Sequence, residues 1–269
     1  FERVVKQAQP WTVMCSYNRI NGIYSSDNHN LIREILKEEW GHKGLVVTDW
    51  GAMNERVAAL QAGVELEMPA ANNGNDASIV AAVRSGALDE AVLDSAVERI
   101  LTLIRSAQPR LSEDFTYDPQ AHHALARQVA GEGAVLLKNE GGLLPLKPGA
   151  KIALIGRFAR QPRYQGAGSS LMNPTRLDNL YDELAKLVGV SRLSYAPGYT
   201  VKGDLPDEAL IQEALAAAGQ ADVVLICAGL TDMYEIEGLD RQHLNLPAGH
   251  DALIQRLAAD HKNVVVVLS

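Results

Sequence analysis

The chain has 269 residues, 47% of them hydrophobic, and a formal net charge of -8. That length and apolar content suffice for one large or two ordinary domains with a sizeable core, and the acidic balance argues against nucleic acid as a partner. No apolar run approaches the roughly 18 residues that a membrane helix needs.

The chain opens on Phe1-Glu2-Arg3, which carries neither an initiator Met nor a signal-peptide pattern, so the start reads as a cut. Trp11 to Asn18 is a short apolar run ending in polar groups, followed by the turn dipeptide Asn21-Gly22. Asn30 to Trp40 places Leu31, Ile32, Ile35 and Leu36 on one helical face with charge opposite. Next comes Gly44-Leu45-Val46-Val47-Thr48-Asp49-Trp50-Gly51-Ala52, a β-branched strand buried on both faces and punctuated by glycine at either side. Met53 to Leu60 reads as a helix, and Gly63-Val64-Glu65-Leu66-Glu67-Met68-Pro69 as a third run ending in an acid and a proline. The spacing is that of a repeated strand and helix unit. In such folds ligands sit at the C-terminal rim of the strands, which makes Asp49 and Trp50 a candidate site. The competing reading has Asp49 capping the following helix.

In their order and spacing, the runs Val13 to Asn18, Gly44 to Ala52 and Gly63 to Pro69 resemble the glycoside hydrolases of family 3, of which the β-glucosidases are the best-known members. The resemblance implies that Asp49 is the nucleophile of a retaining glycosidase, at the rim of a TIM-like (β/α)8 barrel. It also implies that Met14 and Tyr17 line the sugar subsite and that Trp50 packs against the ring, since aromatic faces suit the apolar C–H surface of a sugar. Ordinary core is the alternative for Met14 and Trp50. The lysine and histidine groups that grip sugar hydroxyls in this family belong to earlier barrel strands, outside this chain.

Beyond Pro69, 70–76 reads as a polar loop, and Ser78 to Arg84 and Asp89 to Arg105 as helices, the second with a clear 3.6-residue period through Val92, Ala96, Ile100 and Ile104. Gln108 to Pro119 has two prolines and little periodicity, as a linker does. This divides the chain into a barrel part at 1–107, a linker at 108–119 and a second domain at 120–269. In the second domain Ala121 to Leu137 reads as a helix anchored by Leu125, Val129, Val135 and Leu136. The strands are Lys151 to Gly156, Ala221 to Gly229 and Asn263 to Ser269, with helices at Pro206 to Ala218 and Ala248 to Ala259. Alternating apolar strands and helices predict a parallel-sheet α/β sandwich. Three barrel strands do not close a barrel of about eight, and the last strand stops without a partner, so both domains are expected to be incomplete and a further barrel segment to be needed for a whole active site.

Two loops of the second domain are candidates. Tyr164-Gln165-Gly166-Ala167-Gly168-Ser169-Ser170 superficially suggests a phosphate cradle, but it lacks the third glycine of a dinucleotide fingerprint and any following Gly-Lys-Ser/Thr. Met233 to Pro247 follows a strand and holds three carboxylates and one arginine at 235–241, which alone could be a self-neutralising surface loop. Here Glu237-Gly238-Leu239-Asp240-Arg241 and Leu244-Asn245-Leu246-Pro247 resemble the family 3 segment that delivers the acid/base glutamate. The resemblance assigns that role to Glu237, with Glu235 a rival two residues away. Arg241 is expected to pair with Asp240 and hold the loop in shape.

Retaining hydrolysis needs two carboxyl groups about 5 to 5.5 Å apart, one ionised and attacking, one protonated and donating. The expected activity is therefore an exo-acting β-glucosidase on a small-molecule β-glycoside or oligosaccharide; a β-xylosidase, another family 3 glycosidase and a non-catalytic sugar-binding fragment are the alternatives. None of the histidines shows metal-ligand spacing, and no metal or other cofactor is expected. Cys15 and Cys227 read as two core thiols rather than a disulfide. Cytoplasm and bacterial periplasm both stay open, as does the oligomeric state.

Overall fold

Among the described residues, every strand longer than two residues pairs in parallel. The computed structural model describes residues 1–71, 74–111 and 114–269, grouped into two units, Phe1–Leu125 and Ala126–Ser269. The loop expected at 70–76 and the linker expected at 108–119 include residues 72, 73, 112 and 113, which lie outside the described residues.

The first unit begins with helix α1 (Glu2–Ala8), which buries Val5. Strand β1 (Thr12–Cys15) pairs residue for residue with β4 (Leu45–Thr48), Thr12 opposite Leu45 and Cys15 opposite Thr48. On the other side of β4, Val47 bridges in parallel to Leu66. The three apolar runs of the sequence thus form one wall, β1 and β4 as a two-stranded sheet and the third joined to β4 at Leu66. Between β1 and β4, β2 (Arg19–Ile20) and β3 (Ile23–Tyr24) form a hairpin over Asn21-Gly22. Both turn residues have positive φ, 51° and 87°, as a tight primed turn requires. The Asn30–Glu39 segment is wound as a π-helix and buries Ile32 and Leu36 against the wall.

Helix α2 spans Arg56–Ala62, starting three residues later than the period suggests, because Glu55 caps it: the Glu55 carboxylate accepts the Val57 and Ala58 N–H groups. Asp49 is therefore not the cap. Helices α3 (Gly74–Ser85) and α4 (Glu90–Ala107, capped by Asp89) pack on α2 around Leu60, Ile79, Leu88 and Ala96. Helix α5 (Pro119–Gly133) ends four residues before the expected Leu137. Its expected anchors Leu125 and Val129 are exposed, as are Val135 and Leu136 beyond it, so periodicity located the helix but not a buried face.

The second unit is a four-stranded parallel sheet of β5 (Ile152–Ile155), β6 (Leu193–Ala196), β7 (Val223–Ala228) and β8 (Val264–Leu268), in the order β6-β5-β7-β8. Helices α6 (Leu180–Val188), α7 (Glu208–Ala218) and α8 (Ala248–Asp260) connect them. β5 and β7 are buried at every position, as befits a sheet covered on both faces. Strand β6 and helix α6 escape a reading by pattern: Leu193-Ser194-Tyr195-Ala196 is too short and mixed to stand out. Cys15 and Cys227 are free buried thiols, and burial pushes the Cys227 thiol up to about 12.

An ion pair lies inside the first unit. Lys37, on the polar side of its helix by sequence, is buried against Glu65, and the Glu65 Oε2 accepts the Val46 N–H of β4 at 2.6 Å. Arg99 of α4 brings Nε to 3.5 Å from Glu65 Oε1 and donates to the Lys43 and Gly44 carbonyls. Burial pushes the Lys37 ammonium down to about 8, against the opposing pull of Glu65. Replacing Glu65 by alanine leaves that cation without its buried partner and is expected to cost about 3–5 kcal/mol of unfolding free energy in urea titrations. Adding Lys37→Met is expected to recover most of that loss, because the charge needing a partner is gone.

Candidate active site

Asp49 stands one residue past β4, where its backbone still follows the wall: its N–H donates to the Cys15 carbonyl at 3.1 Å. Gly51, at φ 83°, then turns the chain away. The Gly51 N–H donates to the Met68 carbonyl at 2.8 Å, and Thr48 clasps Met68 from both sides, its hydroxyl 3.1 Å from the Met68 carbonyl and accepting the Met68 N–H at 2.8 Å. The rim carrying Asp49 is therefore tied to β1 on one side and to the 63–69 run on the other.

The Asp49 carboxylate has an organised environment. Its Oδ1 accepts the Trp50 N–H at 2.6 Å and lies 3.0 Å from the Tyr17 hydroxyl, which is also 2.7 Å from the Trp50 carbonyl. The structure thus brings Tyr17, Asp49 and Trp50 together. Met14 and Trp50 are 62% and 64% exposed in this chain. A phenol and an indole beside a half-buried carboxylate, at the C-terminal rim of parallel strands, are groups suited to a sugar face.

In the second unit the two candidate loops lie against each other. Ala167 bridges in parallel to Ile236, and the Glu237 N–H approaches the Ala167 carbonyl at 3.4 Å. The Ser169 N–H donates to Glu237 Oε2 at 2.7 Å, so this glycine loop serves a carboxylate of its own chain. Gly168 has φ 90°, and a Cβ there would stand 2.6 Å from the Glu237 Cβ, so no other residue fits without moving that glutamate. Around this contact is an open cavity of 490 Å³ lined by residues including Tyr234, Glu235, Ile236, Glu237 and Leu239, within the roughly 300–1,000 Å³ of small-molecule sites. A hydrogen bond to Asp204 pushes the Tyr234 phenol up to about 12.

Glu235 and Glu237 differ in their attachments. Glu235 faces Arg163, its Oε2 3.6 Å from the guanidinium, whereas Glu237 meets a backbone N–H of the glycine loop. Among the described residues no Asp240–Arg241 ion pair forms; the arginine that holds this loop is Arg163, donating to Leu230, Asp232 and the Glu235 carbonyl. Sequence reading passed over Arg163, which sits beside a motif rather than in it, and gave Thr48, inside one, no role of its own. Among the described residues no cluster of metal-ligating side chains is found, and no helix is long and apolar enough to cross a membrane.

Residues 1–103 match the glycosyl hydrolase family 3 N terminal domain and residues 134–269 the glycosyl hydrolase family 3 C-terminal domain. The chain belongs to glycosyl hydrolase family 3. Among curated relatives of this family, it is 52% identical over 269 residues to thermostable beta-glucosidase B of Acetivibrio thermocellus, covering 100% of this chain and 36% of that protein. It is 46% identical over 279 residues to the exo-alpha-(1->6)-L-arabinopyranosidase of Bifidobacterium longum, again with 100% and 36% covered. The crystal structure of the Bifidobacterium adolescentis GH3 beta-glucosidase superimposes with a TM-score of 0.88 at 44% identity, over 99% of this chain and 39% of that one. The chain thus spans little more than a third of the length of these family 3 relatives. Its fold is that of the C-terminal part of the barrel followed by the α/β sandwich.

Gly168→Ala is expected to displace the Glu237 side chain from the Ser169 N–H while moving the melting temperature by only a few degrees, because the clash falls on Glu237 and an exposed loop rather than on the core; a crystal structure of the variant and thermal melts check this.

Proposed function

We propose that this chain carries both catalytic carboxylates of a retaining, exo-acting β-glycosidase that removes terminal β-D-glucosyl residues. In this reading residues 1–107 are the nucleophile domain, 108–119 the linker and 120–269 the acid/base domain, and barrel strands beyond this chain complete the sugar pocket. The separate family matches at 1–103 and 134–269 support that division. The observation that carries the proposal is the setting of Asp49: a rim carboxylate that caps no helix, oriented by the Trp50 N–H and the Tyr17 hydroxyl.

Asp49 attacks the anomeric carbon while the Glu237 carboxyl gives its proton to the glycosidic oxygen. The C–O bond to the aglycone breaks, the alcohol leaves, and the sugar stays on Asp49 as an ester. Glu237, now a carboxylate, takes a proton from water, whose oxygen displaces Asp49 and releases the sugar with its original configuration. The Tyr17 hydroxyl and Trp50 N–H, both on Asp49 Oδ1, fix the orientation of the carboxylate, which shortens the search for a reactive geometry. The Arg163 contact of Glu235, against the Ser169 N–H that meets Glu237, supports Glu237 as the acid/base.

A second reading follows from the relative named as an arabinopyranosidase, 46% identical to this chain: the same carboxylates acting on an α-L-arabinopyranoside. Comparing p-nitrophenyl β-D-glucopyranoside with p-nitrophenyl α-L-arabinopyranoside on the full-length protein separates the two, a higher kcat/KM for the glucoside being expected.

The central test is labelling of the full-length protein with 2-deoxy-2-fluoro-β-glucosyl fluoride followed by peptide mapping. The expected result is a glucosyl adduct on Asp49; an adduct elsewhere rejects the nucleophile assignment, and no turnover or adduct with either sugar leaves a non-catalytic sugar-binding protein. Asp49→Ala is expected to lower turnover by several orders of magnitude and, with azide, to give a glycosyl azide of inverted configuration. Glu237→Ala is expected to spare substrates with good leaving groups and to lose about 10²–10⁴-fold on poor ones. The same pattern in Glu235→Ala instead would move the acid/base role to Glu235.

A further inference from the structure

Arg163 takes no part in the chemistry above, yet it is the most heavily bonded side chain beside the Glu237 loop. It lies between β5 and the glycine loop, and its side chain is only 8% exposed. One guanidinium nitrogen donates to the Leu230 carbonyl and to Asp232 Oδ1, both at 3.1 Å. The other donates to the Glu235 carbonyl at 2.8 Å and lies 3.6 Å from the Glu235 carboxylate. These acceptors follow the loop from the end of β7 to the second residue before Glu237.

The opposite end of the same segment holds Glu237 itself, through the Ala167 carbonyl and the Ser169 N–H. Two stretches of chain therefore run side by side, joined near their start by a buried planar fork and near their end by the backbone contacts of the glutamate. A guanidinium is rigid and presents its donors at fixed angles, which an ammonium does not. With Arg163 in place, the path from Leu230 to Glu235 has little freedom, and the direction in which the chain enters Glu237 is set.

We propose that Arg163 is a positioning residue for Glu237, holding the 230–237 segment so that the glutamate meets the glycosidic oxygen. This rests on the acid/base reading of Glu237. A residue that merely stabilises the loop and one that aims the acid differ in what they do across substrates. Misplacing a proton donor hurts only where the leaving oxygen needs a proton, whereas general loosening of the fold hurts all substrates alike.

The test measures kcat/KM in the full-length enzyme for aryl glycosides of the accepted sugar, from 2,4-dinitrophenyl to phenyl, in wild type, Arg163→Ala, Arg163→Lys, Glu237→Ala and the Arg163→Ala/Glu237→Ala double variant. Arg163→Ala is expected to lose about 10- to 100-fold on the phenyl glycoside and less than about threefold on the dinitrophenyl glycoside. Arg163→Lys, which keeps the charge but not the fork, is expected to show a smaller loss with the same dependence on leaving group. The double variant is expected to be no slower than Glu237→Ala alone, because an absent acid needs no aiming. Added guanidinium at millimolar concentration is expected to restore part of the phenyl activity of Arg163→Ala. Should Arg163→Ala fail to fold, the lysine variant carries the same comparison. An equal loss on every substrate, additive losses in the double variant or undiminished activity in both Arg163 variants would overturn the proposal while leaving Glu237 as the acid. A Glu237→Ala variant without leaving-group dependence would remove the acid/base assignment and this proposal together.

Discussion

Glu65 sits where three elements of the first unit meet, and its two oxygens have different partners: Oε2 takes the Val46 N–H of β4, while Oε1 faces Lys37 and Arg99. A carboxylate buried this deeply is tolerated only with such partners. Because Glu65 belongs to the run that bridges β4 at Leu66, the same contact fixes how that run lies against β4. From this alignment follow the bonds of Thr48 and Gly51 to Met68, and from those the direction in which the chain leaves the wall at Asp49. The geometry of the candidate nucleophile is thus inherited from a charge pair on the side of the strand away from the rim.

The second unit orients its candidate acid by another means. Among the described residues no ion pair aligns its sheet; β5 and β7 are wholly apolar and match in register, Ile152 opposite Val223 through Ile155 opposite Ile226. The candidate acid is held in the loops after β5 and β7, where one guanidinium and a few backbone groups hold two irregular segments together. This is the usual division of labour in α/β sheets, a rigid apolar frame carrying variable loops at its carboxyl end.

Much of this was readable from sequence where residue type and periodicity agree. Val46-Val47-Thr48 and Val223 to Ala228 are strands because nothing in them favours another conformation, and Asn21-Gly22 makes a turn because few other pairs accept two positive φ values. The family resemblance brought Asp49, Tyr17 and Trp50 together, and the structure finds them hydrogen-bonded. What stayed hidden depends on contacts far apart in the chain. Lys37 reads as the solvent side of its helix, since nothing near it announces Glu65, and Arg163 bonds to residues some 70 positions away, Asp232 at 69 and Glu235 at 72. The exposed face of α5 is the converse case, a periodicity that fixes a helix without saying what covers it.

The cap supplied by Glu55 has a further meaning. Helix α2 obtains its N-terminal partner from a residue used for nothing else in the rim, so the scaffold makes no demand on the carboxylate six positions earlier. Where one acid both starts a helix and does chemistry, any change of chemistry is also a change of fold, and the two histories are bound together. Here they are separate. The wall can be handed down unchanged while its rim residue is exchanged, lost or regained, which opens a route for a lineage to drift between hydrolysis and mere recognition of a sugar without passing through an unfolded ancestor.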